Sequence, residues 1–229
     1  MTPHPLLALL LDAAAGRFPP VDGAVDVLPP VEDGLGGGLE CATAFTGHAV
    51  VSTALPAGSV LGRGPDGFGG AMAPDFLRWL AGPGGWIGEL DLLLVASGAG
   101  DHGGAEADAV VPRRTDLEEH ARVRRARGLR REVEVFGDER GLVTLGRGPA
   151  GRRELSVEVP AGSEGRGGGR SLLADALALV PAGEPVFAAV TPGNARSLRA
   201  FLACGFMPIG SEVLLRPERD SVAAAGGLF

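Results

Sequence analysis

The sequence predicts a mixed α/β protein whose main sheet is mostly antiparallel and flanked by helices, preceded by an additional, smaller α/β subdomain. Three observations carry this expectation. From residue 90 onward, apolar runs follow the order strand, helix, three strands, helix, strand, helix, strand. The three consecutive strands are joined by short glycine-bearing turns at 137–141 and 146–151, which suit antiparallel neighbours. The first 89 residues are punctuated differently, by Pro19, Pro20, Pro29, Pro30 and a glycine triplet at 36–38, too often for long elements. The expected organisation is an accessory subdomain over 1–89, the main domain over 90–217 and a tail over 218–229.

In chain order, 6–15 reads as a short helix ending at Gly16, and 24–28 as a strand. The apolar stretch 41–55 carries Thr and Val at strand-favouring density and is broken by Gly47, which leaves one bent strand or a hairpin. Residues 74–80 read as a helix burying Phe76, Leu77, Trp79 and Leu80. In the main domain 90–96 is a strand and 98–112 a loop. Thr115, Asp116, Leu117 and Glu118 match a capping box, with threonine as N-cap and the glutamate reaching back to its amide. That helix is expected to run to Arg127 and stop at Gly128. Strands follow at 132–136, 142–145 and 154–159, then a helix at 171–180, a strand at 186–190, a helix at 194–203 and a last strand at 209–215.

Composition removes whole mechanisms. The 229 residues are 45% apolar, enough for a sizeable core, and a formal net charge of −7 disfavours a nucleic-acid backbone as principal partner. There is no Lys, Tyr or Gln, Asn194 is the single asparagine, and all 21 basic residues are arginine. A GC-rich genome, as in many bacteria, accounts for the bias. Schiff-base chemistry, an intact Walker A loop and a tyrosine acid are thereby excluded. Cys41 and Cys204 cannot define a disulfide framework, and the four histidines are scattered with no His-Glu-x-x-His, so no metal site is expected. The apolar stretch 6–11 follows no basic residue and ends at Asp12, which argues against a signal peptide and a membrane span. A cytoplasmic location is expected. Arg122, Arg124, Arg125, Arg127, Arg130 and Arg131 crowd one segment and read as the solvated face of a helix.

The most informative segment is Glu164-Gly165-Arg166-Gly167-Gly168-Gly169-Arg170-Ser171-Leu172-Leu173, between an expected strand and an expected helix. The first amides of a helix lack intrahelical partners and sit at the positive end of its dipole. Glycines there let a diphosphate approach closely, so the loop is an anion cradle in principle. A Walker A reading fails because Glu164 and Arg170 stand where Gly and Lys are required. A dinucleotide reading fails for want of a glycine at Arg170. The second informative segment opens on Asn194 and ends on Cys204-Gly205-Phe206. Asn194 reads as a functional residue or as a helix N-cap, and the two are compatible.

The stretch 154–215 resembles the core of the GNAT superfamily of acyl-CoA-dependent N-acyltransferases. Their first motif, Gln/Arg-x-x-Gly-x-Gly/Ala followed by paired leucines, overlays the segment from Glu164 to Arg170, with Gly167 and Gly169 at the glycine positions and Leu172-Leu173 as the pair; Glu164 replaces the usual Gln or Arg. The alternative register, starting at Arg166, leaves Ser171 at the last small position. The helix from Asn194 to Gly205-Phe206 resembles the family's second motif. The resemblance implies that Gly165, Arg166, Gly167, Gly168, Gly169 and Arg170 bind the coenzyme A pyrophosphate. It also assigns Val157, Val159, Asn194 and Phe201 to the coenzyme, with a strand amide near Val157 polarising the thioester carbonyl.

Acyl transfer to an amine needs a proton acceptor, because an aliphatic amine is mostly protonated at neutral pH. Glu154, Ser156 and Glu158 share one strand face. Glu154 lies near where similar enzymes carry a strand glutamate base; a solvent-facing carboxylate is the competing reading, and the favoured one for Glu158. Relatives commonly place a tyrosine acid where Phe201 stands here, so that role passes to water or to Ser197, or is dispensed with. The expectation is an N-acetyltransferase taking acetyl-CoA and a primary amine of a small molecule or peptide. It expects no metal, nucleic acid or membrane, and a homodimer is a candidate assembly. The competing class is a non-catalytic acyl-CoA-binding or protein-interaction module of the same fold. A worn internal duplication, hinted at by the 36–38 triplet, lacks a counterpart of the Asn194 helix.

Overall fold

The computed structural model describes residues 3–32, 38–100, 111–162 and 167–219. The first part of the chain forms α1 (Pro5–Ala14), β1 (Val25–Leu28), β2 (Val31–Glu32), β3 (Gly38–Phe45), β4 (His48–Ser52), α2 (Ala57–Leu61), α3 (Pro74–Ala81), β5 (Trp86–Ile87) and β6 (Asp91–Ser97). The second part forms α4 (Ala121–Leu129), β7 (Arg131–Asp138), β8 (Gly141–Arg147), β9 (Arg153–Glu158), α5 (Gly168–Ala178), β10 (Pro185–Val190), α6 (Ala195–Ala203) and β11 (Met207–Arg216). The described residues fall into two compact units, one built from 3–32, 38–91 and 210–219, the other lying within 92–209. Among the described residues no helix is long and apolar enough to cross a membrane.

In the first unit β3 and β4 form a hairpin, with Phe45 opposite His48 across a two-residue turn at Gly47. Of the two readings open for 41–55 this is the hairpin. β1 joins β4 in parallel, while residues 211–215 of β11 pair antiparallel with β3. Helix α3 presents Phe76, Leu77, Leu80 and Ala81 to the apolar side chains Ala42, Val51, Val213 and Leu215. Trp79 stays partly buried and lies under the Arg63 guanidinium, 4.6 Å from the ring centre.

One buried ion pair closes this unit. Glu40 on β3 is 1% exposed and accepts from Thr53 Oγ1 (2.7 Å) and the Ala54 amide (2.9 Å). Both its oxygens also accept from Arg219, whose Nε donates to the Leu80 carbonyl (2.7 Å). The Glu218 amide donates to the Ala81 carbonyl (2.8 Å). Residues 218 and 219, expected in the tail, are therefore anchored; 220–229 lie outside the described residues. The last strand, expected in the main domain, belongs from residue 210 on with the first unit, where its residues 211–215 pair with β3.

In the second unit the strand order is β6-β10-β9-β8-β7. All neighbours are antiparallel except β9 and β10. The period of two sorts the faces. Phe136, Val143, Leu145 and Leu155 meet Leu172, Leu173 and Ala176 of α5, and Phe201 joins the same cluster. On the opposite face Val133 and Val135 meet Val123 and Ala126 of α4.

The capping box at Thr115 does not form. Arg114 and Asp116 pair with each other across Thr115 (2.7 and 2.6 Å) where the chain bends, and α4 starts only at Ala121. His120 is its N-cap, Nδ1 accepting from the Arg122 amide at 3.2 Å, and the helix runs through Gly128 to Leu129. Of the expected 98–112 loop, 101–110 lie outside the described residues, as do 36–37 of the glycine triplet.

Arg219→Ala leaves the Glu40 carboxylate buried without its cation. Breaking a buried pair costs about 3–5 kcal/mol, so urea unfolding of this variant should shift its midpoint strongly downward; an unchanged midpoint would mean the clasp contributes nothing.

Candidate functional site

The parallel pair β9 and β10 forms a fork. Every residue of β9 from Arg153 to Glu158 is registered against β8, and every residue of β10 from Pro185 to Val190 against β6. Between themselves the two strands register at one pair, Phe187 opposite Glu154. Beyond Glu154 the strands part.

Next to the free end of β9 lies a cavity of about 450 Å³. Val157, Glu158 and Val159 form its strand wall. Gly167, Gly169, Arg170 and Leu173 at the start of α5 form a second wall. Gly167 is the N-cap of α5, in the left-handed region at φ +84°, and supplies no side chain to the helix amides. A Cβ at Gly169 would stand 3.1 Å from Val159 Cγ2, so glycine is what lets the helix start lie against the strand end. Gly168 is in the first turn without lining the cavity; Gly165 and Arg166 lie outside the described residues.

Helix α6 supplies the third wall through Asn194, Arg196, Ser197, Arg199, Ala200 and Phe201. The Asn194 side chain accepts from the Ser197 amide (3.1 Å), so it caps α6 and faces the cavity as well. Phe201 is 6% exposed and stacks edge-on against Phe206, ring centres 4.9 Å apart. It offers the cavity an apolar surface and no proton.

Glu154 is placed otherwise than a base requires. It is 4% exposed and is not among the cavity's lining residues. One carboxylate oxygen binds Arg130 Nη2 (2.6 Å); the other binds Arg152 Nε and Nη2 (2.9 and 2.8 Å). Burial alone would push its pKa up, but the two guanidiniums outweigh burial and hold the carboxyl below its ordinary value. Gly148 makes the room, since a Cβ there would stand 2.5 Å from Glu154 Oε2. Arg130 Nη1 also donates to Thr144 Oγ1 (3.1 Å), which is bonded to Ser156 Oγ (2.7 Å).

Two arginines of the α4 cluster thus depart from the solvated face expected of them: Arg130 is buried against Glu154, and Arg122 lines the cavity. Arg122 Nε binds Glu158 Oε2 at 3.0 Å, and His120 Nε2 lies 3.7 Å from Glu158 Oε1. Glu158, read from the strand pattern as a solvated carboxylate, is the acidic residue of the cavity lining. Sequence reasoning assigned no site role to Arg122, Arg196 and Arg199; Arg122 was marked only by the arginine cluster, read as a solvated face, and Arg196 and Arg199 only by lying within the Asn194 helix motif. Among the described residues no cluster of His, Cys, Asp and Glu could hold a metal ion.

No family model matches the chain, and no curated protein matches it. Among solved structures, a GNAT-family protein from Novosphingobium aromaticivorans is 20% identical over 59% of this chain and 69% of its own, with a TM-score of 0.40. A GCN5-related N-acetyltransferase from Kribbella flavida is 16% identical over 61% of this chain and 62% of its own, with a TM-score of 0.37.

Glu154→Gln strands two buried guanidiniums, and a loss of about 3–5 kcal/mol is expected at neutral pH. Because the native pKa lies below the ordinary 4.5, the stability this carboxylate contributes is complete above that value and fades as pH falls through the native one. Urea unfolding at pH 7 and pH 4 should show the gap between wild type and variant narrowing at the lower pH; a gap that widens contradicts the assignment.

Proposed function

We propose that the second unit is an acyl-CoA-dependent N-acyltransferase, an acetyltransferase that moves an acetyl group from acetyl-CoA to a primary amine of a small molecule. The observation that carries this reading is the β9–β10 fork opening beside a cavity walled by a strand end and two helix starts. An uncapped helix start offers main-chain N–H donors and the positive end of a dipole, suited to a diphosphate. Arg170, Arg196 and Arg199 on the neighbouring walls add positive charge. The motif resemblance of 164–173 and 194–206 supports the same reading.

The residues fit such a donor. Gly167, Gly168 and Gly169, with Arg170, would hold the diphosphate, and Val157 on β9 with Val159 just past its end would take the coenzyme's amide-bearing arm. The donor supplies an activated thioester. Strand amides near Val157 polarise its carbonyl, a type of stabilisation worth several kcal/mol in a water-poor site. Ser197 is the hydroxyl on the wall that can pass a proton to the departing sulfur. Glu154 pins the vertex of the fork and has no free oxygen for a proton, so the base expected there is not carried into the mechanism. Phe201 favours a second reading, a module that binds acyl-CoA without turnover, because it removes the phenol from the helix.

Thiol release from acetyl-CoA over an amine panel, together with calorimetric binding of CoA, separates the two. Gly169→Val should weaken CoA binding by about tenfold or more through the clash with Val159, with the far-UV spectrum retained. Wild-type protein that binds no CoA would overturn both readings; binding with no thiol release would leave the binding module.

A further inference from the structure

We infer that the acceptor is an amine carrying its own carboxylate one carbon away, a free α-amino acid, held by Arg122 and Glu158; this rests on the acyltransferase reading above. The cavity lining carries four arginines and one carboxylate. Arg170, Arg196 and Arg199 stand on α5 and α6 with the amides suited to the donor's phosphates. Arg122 stands apart from them on α4, at the strand face that Glu158 shares.

That pair is built for two opposite charges. Arg122 spends its Nε on Glu158 at 3.0 Å, and its two terminal nitrogens make no hydrogen bond among the described residues. A guanidinium edge left open in this way matches a carboxylate. Glu158 is met on one oxygen by Arg122 and approached on the other by His120 Nε2 at 3.7 Å, with lone pairs left for an ammonium. His120 is fixed in that pose because its Nδ1 is the cap of α4, so the ring's proton sits on Nε2, towards Glu158. A bare cation entering here would meet Glu158 but also the open edge of the Arg122 guanidinium, and like charges at that range repel. An amine with an adjacent carboxylate satisfies both.

The transfer then balances. The ammonium gives one proton to Glu158, which passes it to water. The nitrogen lone pair attacks the thioester carbonyl carbon, the C–N bond forms and the C–S bond breaks. The departing sulfur takes the second nitrogen proton. The products are an N-acyl amino acid, the free thiol of coenzyme A and one released proton.

The test compares thiol release from acetyl-CoA with amino acids, with their amides and with the corresponding decarboxylated amines. The amino acid should lead its own amide by about tenfold or more in kcat/KM, the scale of one charge-assisted pair. Arg122→Gln should bring that ratio close to one while the Kd for CoA, measured by calorimetry, stays within about twofold. Equal turnover of acid and amide, a preference that survives in Arg122→Gln, or a loss of CoA affinity as large as the loss of turnover each overturns the inference and leaves the transferase reading standing. Thiol release with no acceptor of the panel overturns the transferase reading and this inference together.

Discussion

Two parallel strands that touch once and then part impose the central constraint on the second unit. β9 is zipped to β8 along its whole length and β10 to β6 along its whole length, so neither can turn to close the gap beyond Glu154. Main-chain donors and acceptors along a parted edge must be satisfied by something other than the neighbouring strand. A ligand with amides of its own meets that demand as another strand would, and the helix starts of α5 and α6 are brought beside the opening by the chain's return from these same strands.

The vertex is held by charge. Glu154 sits at the one registered pair, is nearly inaccessible, and is gripped by Arg130 from α4's C-terminal end and Arg152 from the turn before β9. A buried ionised carboxylate with two cations is costly to desolvate and gives little net stability, but removing one partner is worse. Its value lies in position: the same Arg130 reaches Thr144, and Thr144 reaches Ser156, so a chain of hydrogen bonds ties α4, β8 and β9 on one face. The opposite face is held by the apolar packing of Leu155, Leu172 and Leu173, and by Arg140 of the β7–β8 turn, which binds Ser171 and Asp175 of α5.

Much of this was legible in the sequence because it rests on periodicity and on residues with few conformational alternatives. The alternation Glu154, Ser156, Glu158 against Leu155 and Val157 placed both faces of β9 correctly, and the glycines before Ser171 marked the start of α5. Asn194, Ser197, Gly167, Gly169, Arg170, Val157, Val159 and Phe201 all reach one cavity. The failures have a common cause: side chains whose partners are distant in sequence. Glu154 looked like a base until its partners Arg130 and Arg152 were in place. Arg122 looked solvated until Glu158, 36 residues on, met it. Thr115 had the pattern of a cap, yet the chain bends there, its flanking Arg114 and Asp116 pair with each other, and His120 took the cap instead. The clasp of Glu40 by Arg219 spans 179 residues and left no local trace.

The proposed function requires the fork to be a slot for a coenzyme and not merely an irregular sheet. Hydrogen–deuterium exchange of the full chain with and without CoA reads this directly. A coenzyme seated in the slot slows exchange at 155–159, 168–173 and 195–201 and leaves the first unit unaffected. Slowed exchange elsewhere, or none at these segments under saturating CoA, would contradict the proposed function.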